Sequence, residues 1–118
     1  MIHRRILATS LVVMALLGCT KDPAPDEQMR LTEQAVAQAK AIGADEQIPE
    51  MVQAERKLAL AQKNVAEEDF NRARRLAEQA ELDARLAEGL VLTAKSETQL
   101  ADLNARIKRL QKQLGALQ

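Results

Sequence analysis

Residues 49–80 read PEMVQAERKLALAQKNVAEEDFNRARRLAEQA, and how this stretch is divided decides the fold. Pro49 suits the first turn of a helix, where its missing N–H costs nothing, and Glu50 beside it complements the positive end of the helix dipole. From there Met51, Ala54, Leu58, Ala61 and Val65 recur at alternating steps of three and four, the spacing of a helical seam. Glu67-Glu68-Asp69 follows the seam, with no glycine or proline among them. Asp69 directly before Phe70 has the character of an N-cap, so a second helix is expected to start at Phe70 and double back along the first. One uninterrupted helix through 67–69 is the competing reading; the N-cap favours the hairpin.

On the C-terminal side nothing from Phe70 to Leu114 breaks a helix except Gly89, at a cost of about 1 kcal/mol. Ala73, Leu76, Ala80, Ala84 and Ala87 give a face of mostly small side chains, which lets neighbouring helices approach closely. Leu100, Leu103, Ile107, Leu110, Leu114 and Leu117 then follow a 3-4-3-4-3 spacing, a coiled-coil-like seam. On the N-terminal side a helix is expected from Glu27 to Ile42, with Leu31, Ala35, Gln38 and Ile42 on one face and Gly43 as its stop. Lys21 to Asp26, with two prolines and three charges, reads as a solvated tether, and Asp22 or Asp26 as the cap of the helix after it. The expected fold is all-α: a helical hairpin or three-helix bundle over residues 27–99, with a long C-terminal helix ending in a coiled-coil-like basic tail, 100–118. Helices of about 18 and about 45 residues measure roughly 27 and 68 Å. The shorter ones therefore cover only half of the longest. Either Gly89 bends it, or the 100–117 seam pairs with something outside the chain.

The N-terminus carries a separate signal. A basic start with Arg4 and Arg5 precedes the apolar run from Ile6 to Leu17, too short to span a bilayer as a regular helix. Leu16-Leu17-Gly18-Cys19 at its end resembles the lipobox of bacterial lipoproteins, departing from it in Leu17, where Ala or Ser is commoner. The resemblance implies a signal peptide over 1–18, cleavage between Gly18 and Cys19, diacylglycerol on the Cys19 sulfur, palmitate-type acylation of the new amino terminus, and a tether over 19–26. Each buried lipid methylene contributes roughly 0.8 kcal/mol, so several chains hold a protein durably where one does not. Membrane anchoring on the periplasmic side follows. Thr20, in place of the Asp that retains enterobacterial lipoproteins in the inner membrane, points to the outer membrane.

Composition removes several functions. Loss of Arg4 and Arg5 leaves 15 basic and 17 acidic residues, a net charge of about −2, unlike a nucleic-acid binder. Phe70 is the only aromatic residue, so nothing else stacks on a base or sugar. Beyond residue 19 there is no His or Cys and the single serine is Ser96, so no Ser–His or Cys–His pair can be assembled and an enzyme is not expected. Glu67-Glu68-Asp69 lacks the surrounding loop of a cation site, and no metal or cofactor is expected. Arg106, Lys108, Arg109 and Lys112 lie in a tail with no acid after Asp102. They read as the polar face of a coiled coil or as a contact for an anionic polymer.

From Gly43 to Ala87 the chain resembles a domain-of-unknown-function family of alanine-rich helical lipoproteins. The residues that carry the likeness are Pro49-Glu50, Ala54-Glu-Arg-Lys-Leu58-Ala-Leu-Ala61, Glu68-Asp69-Phe70-Asn-Arg-Ala73-Arg-Arg-Leu76-Ala-Glu-Gln-Ala80 and Asp83-Ala84. Many such domains stand in front of an OmpA-like peptidoglycan-binding domain; no such domain follows here, so peptidoglycan binding does not carry over. The expected function is a lipid-anchored, non-enzymatic envelope module that self-associates or docks on a helical partner through Leu100 to Leu117. Noncovalent contact with peptidoglycan, and an accessory role to an envelope enzyme, are the alternatives.

Overall fold

The computed structural model describes residues 22–116; Gly18, Cys19, Thr20, the apolar leader and Leu117 lie outside the described residues. Three helices follow one another: α1 (Asp26–Ala41), α2 (Pro49–Ala66) and α3 (Phe70–Gly115), with no strand among the described residues. The molecule is all-α, with a long C-terminal helix and an extended shape.

Backbone hydrogen bonding explains where the first two helices stop. At the end of α1, the Ala44 N–H donates to the Ala39 carbonyl at 2.9 Å and the Gly43 N–H to the Lys40 carbonyl at 2.9 Å, with Gly43 at φ 105°. This is the Schellman arrangement, which satisfies carbonyls that the helix end would leave orphaned. The same pair of bonds closes α2, from Asp69 to Asn64 at 2.9 Å and from Glu68 to Val65 at 3.0 Å. Here the left-handed position is held by Glu68, at φ 60°, without glycine. Asp69 then turns from terminator to initiator: its side chain accepts the Arg72 N–H at 3.1 Å and caps α3. The hairpin preferred from sequence is thus built from one stop and one start that share a residue.

The start of α1 departs from expectation. The helix begins at Asp26 behind Pro25, with no side-chain cap, and Asp26 and Glu27 serve its dipole from within the first turn. Asp22 accepts instead from the Asn71 side chain, and the Pro23 carbonyl accepts from Arg74 at 3.2 Å. Pro25 is buried. Residues 22–25 therefore run along the first turn of α3, with Asp22, Pro23 and Ala24 exposed.

α3 is the axis of the molecule, and α1 and α2 both lie along its first half. Its buried row is Ala73, Ala77, Ala80, Ala84, Ala87 and Val91. Ala77 belongs to this row, and Leu76, placed there by sequence, is half-buried beside it. α2 buries Met51, Ala54, Ala61 and Asn64; α1 buries Thr32, Ala35, Val36 and Ala39. The α1 face is rotated from the expected one, since Leu31 and Ile42 are half-buried and Gln38 is exposed, donating to Glu88 at 2.8 Å. Thr32 explains the rotation: its hydroxyl is fully buried between the Gln28 carbonyl, 2.8 Å away, and the Ala77 carbonyl, 3.0 Å away. A leucine there would have no room between α1 and an alanine row.

Polar contacts tie the edges. Lys57 and Asp83 pair at 2.6 Å between α2 and α3. Lys95 donates to the Ile42 carbonyl at 2.5 Å, covering the C-terminal end of α1 with a cation. Val91 is the last buried residue of α3, and the helix continues unbroken through Gly89 and beyond the bundle.

Candidate functional site

From Leu92 onwards every described residue of α3 is exposed. Leu100, Leu103, Ile107, Leu110 and Leu114 therefore lie in water on one side of a bare helix, between 51% (Ile107) and 65% (Leu114) exposed. Gly89 does not interrupt α3, which is one helix of 46 residues. The seam is without a partner within the described residues, and a row of exposed leucines is costly to leave in water. Leu82, Leu86, Leu90 and Leu92 are also exposed, on the part of α3 that the bundle accompanies. Sequence reading had not picked them out.

The four cations of the tail are separated by the helix. Arg106 pairs with Asp102 at 2.7 Å, one turn back. At 100° per residue, Lys108, Arg109 and Lys112 project from the side opposite the leucine seam. Their side chains make no hydrogen bond or ion pair with other described residues. Of the neighbouring Arg72, Arg74 and Arg75, Arg74 donates to the Pro23 carbonyl at 3.2 Å, while Glu81 pairs with Arg85 at 2.6 Å.

Glu81 is the most constrained carboxylate of the bundle. Gln28 donates to one of its oxygens at 2.8 Å and Arg85 to the other, and these hydrogen bonds, Gln28's first, hold its pKa below the ordinary carboxylate value against a smaller opposing effect of burial. Exposed Glu27 is held low in the same way by Arg30. Both are structural pairings. The clefts of the bundle are shallow. One between α1 and α3 is lined by Leu31, Gln34, Ala35, Gln38, Arg85 and Glu88, and another between α1 and α2 by Asp26, Met29, Arg30, Glu33, Gln62 and Val65. Neither gathers a nucleophile and a base. Among the described residues no cluster of metal-ligating side chains is present, and no helix is long and apolar enough to cross a membrane.

A family model described as a domain of unknown function (DUF4398) matches residues 27–103. A crystal structure of a DUF4398 family protein from Pseudomonas aeruginosa PAO1 is similar over 81% of this chain and 100% of that one, with 57% sequence identity and a TM-score of 0.79. No curated protein matches the sequence.

Proposed function

The chain belongs to the DUF4398 family, and from that premise we propose that it is a lipid-anchored, non-enzymatic envelope lipoprotein that acts as an interaction module in the periplasm. In this reading the signal peptide 1–18 is removed, Cys19 carries diacylglycerol, the new amino terminus carries palmitate or a similar acyl chain, and the protein sits at the outer membrane. The single observation that carries the interaction role is the row Leu100 to Leu114, standing in water on a helix that outruns its bundle. A helical partner, or a second copy, would remove that row from solvent.

The anchoring half of the reading is supported by Leu16-Leu17-Gly18-Cys19 and by the path of residues 22–25. A link from Cys19 to Asp22 spans at most about 11 Å. The turn end of the bundle would then stay near the lipid surface, and the free end of α3, roughly 66 Å away along the helix, would reach into the periplasm. Intact-mass analysis of the protein extracted from membranes tests this: the mature chain is expected to start at Cys19 and carry the thioether-linked lipid. A free thiol, or another start site, overturns it. For the docking role, a photo-crosslinker at Ile107 in intact cells is expected to give an adduct, and its complete absence overturns that role.

Lys108, Arg109 and Lys112 favour a second reading, noncovalent contact with peptidoglycan. They are free of acidic partners among the described residues and face away from the seam, so both faces of the helix can be engaged together. Co-sedimentation with purified sacculi is expected to fall when all three are changed to Gln; equal retention overturns this reading.

A further inference from the structure

Counted backwards from Leu100 in the same alternating steps, the seam does not stop. It passes Ser96, Thr93, Gly89, Leu86 and Leu82, so one heptad stripe runs from Leu82 to Leu114 along the outward side of α3. The described stripe holds ten positions and not one charged side chain. Its seven large members are between 51% (Ile107) and 66% (Leu82) exposed. At Gly89 an added Cβ would meet nothing within 4 Å. The Thr93 and Ser96 hydroxyls donate back to the Gly89 and Leu92 carbonyls, each at 2.8 Å, so neither needs an outside partner. Within the bundle the stripe lies about half a helical turn from the buried alanine row, so α1 and α2 leave it open.

We propose that the whole stripe, the back of the bundle included, is a homotypic interface in which α3 pairs in parallel and in register with α3 of a second copy. This rests on the interaction-module reading and names the partner. Three observations select a second copy. First, one core position of the heptad holds Leu86, Thr93, Leu100, Ile107 and Leu114, and the other Leu82, Gly89, Ser96, Leu103 and Leu110. Leucine holds three of five places in each set, and the two β-branched residues of the stripe, Thr93 and Ile107, both fall in the first, the position where β-branched residues suit two parallel strands. Second, the flanking positions brought together across a parallel pair are Arg85 with Leu90, Leu92 with Glu97, Gln99 with Asn104 and Arg106 with Gln111, none of them like-charged; at the Leu82 end Glu78 meets Asp83, whose carboxylate is already paired with Lys57 at 2.6 Å. An antiparallel pair centred on the stripe sets Glu97 against its own copy. The parallel pair also covers the otherwise unexplained Leu90 and Leu92. Third, at roughly 100 Å² of exposed apolar surface for each large residue, two copies bury about 1,400 Å², within the range of stable interfaces.

The test uses the full chain, co-expressed in its membrane with two different tags and oxidised in intact cells. Leu86→Cys is expected to give a disulfide-linked species of twice the chain's mass carrying both tags, absent from the parent chain and from Gln47→Cys in the exposed α1–α2 loop. Leu103→Cys is expected to do the same, and adding Leu82→Glu and Leu86→Glu to it should lower the dimer yield about tenfold or more. An unchanged yield overturns the extension of the interface over the bundle. Cross-linking of Leu86→Cys only to a Leu110→Cys copy overturns the parallel register. A monomeric Leu86→Cys chain, alongside an Ile107 adduct to a different protein, overturns the homotypic stripe and leaves the interaction module standing. No product at either position ends both.

Discussion

Truncating Met51 to alanine tests the packing on which the bundle depends. Met51 is 1% exposed and, with Thr32, the largest fully buried side chain of the molecule. Around it the core consists of Ala35, Val36, Ala39, Ala44, Ala54, Ala84, Ala87 and Val91, with Ile48 and Leu58 packed against them. Met51→Ala deletes three heavy atoms beyond Cβ, about 2.4 kcal/mol at roughly 0.8 kcal/mol for each methylene-sized group. A cavity cost is added, because alanines on backbones already in contact have no rotamers with which to fill the space. The expected loss is about 3 kcal/mol, a large part of the total for a domain of this size. Denaturant unfolding at fixed protein concentration, followed by far-ultraviolet circular dichroism, should show it, with a fall in Tm of about 12–24 °C. Exposed Gln53, two residues along the same helix, provides the comparison: Gln53→Ala should stay within about 0.5 kcal/mol of the parent. A Met51→Ala loss below about 1 kcal/mol would refute the claim that α2 is held by this side chain in an alanine socket.

Two further outcomes follow from local geometry. Glu68→Gly should stabilise the protein by about 1 kcal/mol in the same unfolding assay, because a non-glycine residue at φ 60° bears the left-handed penalty in the turn between α2 and α3; a destabilised variant would mean that other interactions of Glu68 outweigh backbone strain. Glu81, whose folded pKa is depressed, contributes stability that is present above its unfolded pKa and lost as pH falls through the lowered folded value. The stability gap between parent and Glu81→Gln should therefore be constant near neutrality and shrink on acidification, and a gap independent of pH would remove Glu81 as a linked group.

Sequence periodicity made α2, α3 and the hairpin legible because their signals are local: Pro49 and Glu50 at a start, Asp69 before Phe70 at a turn, three-four spacing between. The face of α1 was not legible. Leucine and isoleucine mark a stripe by hydropathy, but α1 buries only the short side chains Thr32, Ala35, Val36 and Ala39, and Thr32 is polar by composition. Ala77 was overlooked beside Leu76 for the same reason, since apolar size and burial part company where helices touch backbone to backbone. The path of residues 22–25 depends on Asn71 and Arg74, about fifty positions away. The outward stripe was legible only from Leu100 on. Between Leu86 and Leu100 it passes through Gly89, Thr93 and Ser96, which hydrophobicity does not count, and only their common exposure joins the two ends.

The alanine row of α3 has an entropic side. A methyl group has no rotamers to lose, whereas a buried leucine or methionine gives up roughly 0.5–2 kcal/mol of side-chain freedom on folding. A small bundle with little apolar area to bury thus orders cheaply along its longest contact. Enlarging any of Ala73, Ala77, Ala80, Ala84 or Ala87 would force the backbones apart, so these positions have almost no freedom to vary, and differences in association between related proteins should accumulate on the opposite side of the helix.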